Sequence, residues 1–71
     1  MKRIGEKLST LRQQHGYSAR QLAEKLGVSH THVLRIEKGD NGPSAGLLFK
    51  ISQLFDVSAD KLLNDNLELD D

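Results

Sequence analysis

The sequence predicts a small all-α domain built from five helices. Apolar residues recur at spacings of three and four along most of the chain, as they do on one face of a helix. Serines stand at the starts of the helical segments and glycines follow several of them, which is the usual placement of residues that cap helices. The chain of 71 residues is long enough for one such domain.

The first helix is predicted to span residues 2–14. Ile4, Leu8 and Leu11 follow one another at spacings of four and three, so they share one helix face. Gly16 ends this helix, because glycine readily adopts the left-handed conformation that follows a helix.

Three further helix starts share a pattern, in which an apolar residue directly precedes a serine and a second one follows that serine by four positions. This arrangement is typical of a hydrophobic staple around an N-cap serine. The instances are Tyr17-Ser18 with Leu22, Val28-Ser29 with Val33, and Val57-Ser58 with Leu62. Helices are therefore predicted over residues 18–26, 29–38 and 58–64. Apolar spacing predicts another over 44–55, after a turn at 39–43.

Charged residues divide the chain into a basic half and an acidic half, although the net charge is zero. Residues 1–38 hold eight Lys or Arg against three acids, and residues 39–71 hold two against seven. A basic half can face phosphates while the acidic half faces away. A chance asymmetry of solvated charges is the alternative interpretation.

The composition argues against several classes of protein. The chain has no cysteine and therefore no disulfide, and we expect it in the cytoplasm. No apolar run approaches the ~20 residues of a membrane span, and the charged N-terminus lacks the apolar stretch of a signal peptide. Because glycine-rich phosphate loops and His–carboxylate ligand spacings are missing, we predict no enzyme, no cofactor and no metal site.

Residues 21–37 hold the motif that is most informative about function. Two short predicted helices, joined by a turn that contains Gly27, form a helix-turn-helix. Ala23 is small enough for the helices to cross closely, and Val33 and Ile36 fill the angle between them. The other side of the second helix is then exposed and can enter the major groove of DNA, which is about 12 Å wide.

Several segments of the chain match one known family. They are Gly16-Tyr17-Ser18, Leu22 to Ser29, Arg35 to Gly39, Pro43-Ser44, Leu47 to Ile51 and Phe55 to Ser58. With them the chain resembles the phage-repressor/Cro-like (XRE) helix-turn-helix family. The resemblance implies a compact five-helix bundle of the lambda-repressor-like DNA-binding type. It also implies a bacterial or phage regulator of transcription, usually a repressor, that binds a palindromic operator as a dimer.

The same resemblance assigns base contacts to the predicted third helix. His30, Thr31 and Arg35 take the positions that usually meet base edges, with His32 beside them. Arg35 can donate two hydrogen bonds to guanine, and Thr31 can bond a base or touch a thymine methyl group. An ordinary surface charge is the alternative interpretation of Arg35.

Phosphate contacts are expected where the second and third helices begin, because backbone N–H groups there favour anions. Ser18 and Ser29 cap these helices and would lie close to the DNA backbone. Arg20 and Lys38 are the charged candidates for phosphate contacts, although Lys38 also fits an ordinary solvated charge.

The resemblance further implies an ion pair between Arg12 and Glu37 that orients the third helix, with two unrelated surface charges as the alternative. The chain departs from the family pattern at Ala19, where a DNA-contacting glutamine is common, and at Asp40, where basic residues are common. These departures predict modest affinity for a monomer, so we expect dimerisation to matter.

We expect the partner to be double-stranded DNA, bound by a homodimer. The dimer surface is predicted from leucines that have little core left to fill, namely Leu62, Leu63, Leu67 and Leu69. Residues 1–64 are predicted to form the DNA-binding domain, and residues 65–71 an acidic, flexible tail. The alternative function is an antitoxin or antirepressor-like regulator whose tail binds a protein partner.

Overall fold

The structure is a computed structural model that describes residues 3–69. Its helices are α1 (Ile4–Gln14), α2 (Ala19–Leu26), α3 (His30–Lys38), α4 (Ala45–Phe55) and α5 (Ala59–Leu63). The predicted all-α class is confirmed, and residues 3–69 contain no strand. The predicted start of the first helix at Lys2 lies outside the described residues. The other predicted boundaries agree with the observed ones to within one residue.

Serine side chains begin four of these helices. The hydroxyl of Ser18 accepts a hydrogen bond from the backbone N–H of Gln21 at 3.0 Å, and the Gln21 side chain accepts one from the N–H of Ser18 at 2.8 Å. The two bonds complete a capping box. Ser29, Ser44 and Ser58 accept the corresponding backbone bond at the starts of α3, α4 and α5.

Gly27 determines how closely α3 follows α2. It ends α2 with φ +73°, a left-handed conformation that side chains disfavour. The chain therefore turns within residues 27–29, and α3 begins directly afterwards. Gly39 ends α3 in the same way, with φ +86°.

The core lies between all five helices. α1 packs on α3 and α5, α2 packs on α3 and α4, and α4 packs on α5. The buried apolar residues are Ile4, Leu8, Leu11, Leu22, Ala23, Leu26, Val33, Ile36, Leu47, Ile51, Phe55 and Leu62. Within the described part of the chain, no helix combines the length and apolar character needed to cross a membrane.

The burial of Leu62 contradicts its predicted place in the dimer surface. Its side chain is 0% exposed and belongs to the core, because α5 packs its inner face on α1 and α4. Leu63, Leu67 and Leu69 are half-buried, and Leu69 packs against the core. The four leucines therefore do not form one exposed surface.

The residues after α5 dock on α1, in the segment for which the sequence predicted a flexible tail. Lys7, which is 2% exposed, donates from Nζ to the carbonyl oxygens of Lys61, Asn64 and Leu67 at 2.5, 2.7 and 2.6 Å. These three bonds use every donor of the ammonium group. Asp70 and Asp71, the rest of the predicted tail, lie outside the described residues.

Arg3 makes the second attachment of this segment. Its backbone N–H donates to the Asp65 carboxylate at 2.9 Å, and its guanidinium donates to the Asp65 carbonyl at 3.0 Å. The guanidinium also donates to both carboxylate oxygens of Glu68, at 2.8 and 3.0 Å. We call the contacts of Arg3 and Lys7 with residues 61–68 the C-terminal clasp.

Candidate nucleic-acid interface

α2 and α3 form the predicted helix-turn-helix. The N–H of Val28 donates to the carbonyl oxygen of Ala23 at 3.0 Å, which folds the turn back onto α2. Val33 and Ile36 are both 0% exposed and fix the inner face of α3. The opposite face of α3 consequently remains at the surface.

The predicted base-contact residues occupy this outer part of α3. Thr31 and Arg35 are exposed, whereas His30 and His32 are half-buried. Within residues 3–69, the side chains of Thr31 and Arg35 make no hydrogen bond or ion pair. Their polar groups are therefore available to a ligand.

The predicted phosphate contacts lie at the starts of α2 and α3 and at the end of α3. Ser18 and Ser29 are exposed, and each hydroxyl oxygen accepts a backbone bond, at 3.0 and 3.1 Å. Each hydroxyl proton remains able to donate to an anion. Arg20 and Lys38 are also exposed. The partial positive charge of the two helix starts adds to the attraction of a phosphate.

Arg12 and Glu37 come together as an ion pair between α1 and α3. Arg12 Nε donates to Glu37 Oε2 at 2.7 Å and Nη2 donates to Oε1 at 3.1 Å, while Nη1 donates to the Tyr17 carbonyl at 3.0 Å. The hydrogen bonds to Glu37 hold the pKa of Arg12 above its ordinary value, because they favour the charged guanidinium. The pair thus holds the last turn of α3 against α1.

A shallow cleft of about 170 Å³ lies beside the turn between α2 and α3. Ala23 and Val28 contribute its apolar lining, and Arg20, Glu24 and His30 its polar lining. Within residues 3–69, no group of three or more His, Cys, Asp or Glu side chains is placed to hold a metal ion.

Lys7 is a structural residue that the sequence analysis missed. Its signal was its place on the apolar face of the first helix, three residues after Ile4 and four before Leu11. A lysine at such a position must find buried acceptors. The acceptors come from the chain beyond residue 60, which local patterns do not reveal.

A family model described as helix-turn-helix matches residues 8–62 of the chain. The chain belongs to this helix-turn-helix family, of the phage-repressor/Cro-like type. The regulator SinR of Bacillus licheniformis is 39% identical over 66 residues, which is 92% of this chain and 60% of SinR. The regulator ImmR of Bacillus subtilis is 35% identical over 60 residues, which is 84% of this chain and 47% of ImmR. The chain therefore spans about half the length of these relatives.

Solved structures of family members superimpose closely on this fold. The N-terminal DNA-binding domain of SinR from Bacillus subtilis has a TM-score of 0.84 at 36% identity, covering 96% of this chain and 100% of that domain. A structure of SinR in complex with DNA has a TM-score of 0.78 at 39% identity, covering 86% of this chain and 98% of the other.

Proposed function

We propose that this helix-turn-helix chain is a sequence-specific DNA-binding regulator of transcription, acting as a repressor. The observation that carries the proposal is the exposed outer face of α3, whose Thr31 and Arg35 side chains have no partner within residues 3–69. The similar SinR, a transcriptional regulator, has been solved in complex with DNA. A cytoplasmic location and the absence of catalysis belong to the same proposal.

The base contacts would come from the first two turns of α3. Arg35 would donate two hydrogen bonds to guanine O6 and N7, a contact worth roughly 1–3 kcal/mol of discrimination. Thr31 would contact a neighbouring base or thymine methyl group. His30 and His32 are half-buried and would offer less surface to the groove than Thr31 and Arg35.

The phosphate contacts would hold the duplex on both sides of these base contacts. Ser18 and Arg20 at the start of α2, with Ser29 at the start of α3, would contact one stretch of backbone. Lys38, at the far end of α3, would contact another. The basic charge of residues 1–38 supports this orientation of the domain on DNA.

We propose further that two copies bind a palindromic site, with half-sites about 10 bp apart. The half-buried Leu63 and Leu67 remain candidates for the contact between copies, whereas Leu62 is inside the core. Leu69 is a weaker candidate because it already packs against the core.

A second candidate function is regulation through a protein partner. The similar SinR has been solved as a complex with the protein SinI, at a TM-score of 0.79 and 38% identity to this chain. An antitoxin or antirepressor-like role would use the acidic residues 65–71 as the binding segment. The docking of residues 65–69 on α1 weighs against this use, because the partner would first have to displace the C-terminal clasp.

Selection of bound duplexes from a random DNA pool tests the primary proposal. The wild-type chain should enrich a palindrome, and Arg35→Ala should relax the preference at one base pair of each half-site. Arg20→Ala serves as the matched control, because losing a phosphate contact should weaken binding to all sequences alike. If the wild-type chain enriches no sequence even at low salt, the DNA-binding proposal is wrong and the protein-partner function is favoured.

A further inference from the structure

We infer that Gly5 is a positioning residue for DNA recognition. Its missing side chain sets how closely α1 approaches the C-terminal end of α3 and so fixes the orientation of α3 relative to α2. The inference rests on the proposed DNA-binding function, because it concerns how α3 is held for that purpose.

Gly5 is buried in the first turn of α1, against the backbone of α3. A Cβ atom at this position would lie 2.2 Å from the carbonyl oxygen of Ile36 and 2.9 Å from that of Glu37. Both atoms belong to the backbone, so no side-chain rotation relieves the overlap. The two helices would have to separate until the carbon–oxygen distance approached about 3.3 Å, a normal close contact.

Four other glycines serve different purposes. Gly16, Gly27 and Gly39 have positive φ angles and end helices. Gly46 has no positive φ, lies in the first turn of α4, and has no atom within 4 Å of an added Cβ. Gly5 differs from these four in the closeness of a neighbouring helix rather than in its own conformation.

The surroundings of Gly5 prevent α1 from simply moving away. Arg3 and Lys7, on either side of Gly5 in the sequence, attach this turn of α1 to the segment after α5 through the C-terminal clasp. Arg12 holds the Glu37 carboxylate, while Gly5 lies against the Glu37 carbonyl. α1 is thus tied at its start to the segment after α5, while the Arg12–Glu37 pair keeps the end of α3 from simply separating from α1. A side chain at position 5 therefore pushes on an α3 that is held at its last turn, and α3 must tilt.

A tilt of α3 would separate two sets of DNA contacts. Thr31 and Arg35 lie on α3, whereas Ser18 and Arg20 lie at the start of α2. Both sets must fit one duplex, and recognition tolerates errors of only about 0.5 Å and 10–20° in such an arrangement. A substitution at Gly5 should therefore weaken sequence-specific binding without touching the DNA.

The test compares Gly5→Ala with the matched control Gly46→Ala. Residual dipolar couplings give the angle between α2 and α3 in each variant. Titration measures affinity for the duplex that the wild-type chain selects and for a scrambled duplex.

For Gly5→Ala we expect a changed angle between α2 and α3 and a loss of about tenfold or more in affinity for the selected duplex. Affinity for the scrambled duplex, which depends on charge, should change by less than about twofold. Gly46→Ala should match the wild type in all three measurements.

Gly5→Ala is expected to lower the stability of the fold, so it is also combined with Gly46→Ala. The second substitution offsets part of that loss, because alanine favours the helical conformation in α4. An unchanged α2–α3 angle or an unchanged ratio of the two affinities would overturn the inference. A double variant that does not fold even in the cold would also overturn it, because the role of Gly5 would then be structural alone. The angle measurement needs no DNA, so it decides the role of Gly5 even if the wild-type chain selects no sequence.

Discussion

Arg12 and Glu37 join the last turn of α1 to the last turn of α3 through two hydrogen bonds, of 2.7 and 3.1 Å. Their side chains are only 17% and 9% exposed, so the pair is largely withdrawn from water. A charged pair in such a place is costly to break, because the remaining partner stays partly buried without its counter-charge. The pair therefore restrains the helix that we propose to contact DNA.

Arg12→Ala should lower the free energy of unfolding by about 3 kcal/mol, since it leaves Glu37 uncompensated. It also removes the hydrogen bond to the Tyr17 carbonyl. Urea denaturation followed by circular dichroism measures the loss. Arg20→Ala removes an exposed arginine of α2 and should leave the midpoint almost unchanged. Equal midpoints for the two variants would show that the Arg12–Glu37 pair does not stabilise the fold.

Lys7→Met should release the segment after α5. The methionine keeps much of the lysine stem in the core but leaves the carbonyl oxygens of Lys61 and Leu67 without their donor, and that of Asn64 with only the bond from the Leu67 N–H. Unsatisfied acceptors of this kind cost about 1–3 kcal/mol each where water does not reach them. We expect a lower melting temperature and faster amide exchange in residues 64–69.

The control for this prediction is Lys38→Met, which removes an exposed ammonium at the end of α3. It should leave melting temperature and exchange rates near wild-type values. If Lys7→Met also leaves exchange in residues 64–69 unchanged, then Lys7 does not hold this segment in solution.

The helices could be predicted because each carries local signals. Ser18, Ser29 and Ser58 mark helix starts with an apolar residue before each of them, and Gly27 and Gly39 mark two ends. The exposed face of α3 followed from the spacing of its apolar residues. Such signals act within one or two turns of the chain, which is why the end of α1 and the boundaries of α2 to α5 agreed to within one residue.

The C-terminal clasp could not be predicted, because its partners are far apart in sequence. Lys7 and Leu67 are separated by 60 positions. The acidic residues near the end suggested a solvated tail, and only the fold shows that Asp65 and Glu68 face Arg3. Leu62 was misplaced for a related reason, since the five-residue α5 is too short for its pattern to distinguish an inner from an outer face.

Low pH should weaken the Arg3–Glu68 pair of the C-terminal clasp. The hydrogen bonds from Arg3 hold the pKa of Glu68 below its ordinary value of 4.5. A lowered carboxyl pKa contributes stability that is complete above the ordinary value and is lost as the pH falls through the lowered one. NMR titration of the Glu68 carboxyl group should therefore show a midpoint below 4.5. Added salt should raise this midpoint toward the ordinary value, because the pair is exposed.

Glu68→Gln provides the control for this pH effect. The variant should lose less stability than the wild type between pH 5 and pH 3, because one ionised carboxylate no longer has to be protonated. The prediction is contradicted if the wild type and Glu68→Gln lose the same stability between pH 5 and pH 3. It is also contradicted if the NMR titration midpoint of Glu68 lies at or above its ordinary value.

Ser29→Ala should weaken both the fold and DNA binding, whereas Ser58→Ala should weaken the fold alone. Each serine caps a helix by accepting a backbone hydrogen bond, at 3.1 Å for Ser29 and 3.2 Å for Ser58. Loss of such a cap costs about 1 kcal/mol of stability. Only Ser29 stands at the start of α3, where we propose a phosphate contact, so affinity for the selected duplex should fall in that variant alone. Melting curves and DNA titrations at a temperature where both variants are folded separate the two effects. Equal DNA affinities in both variants would remove Ser29 from the interface and leave it only its capping role.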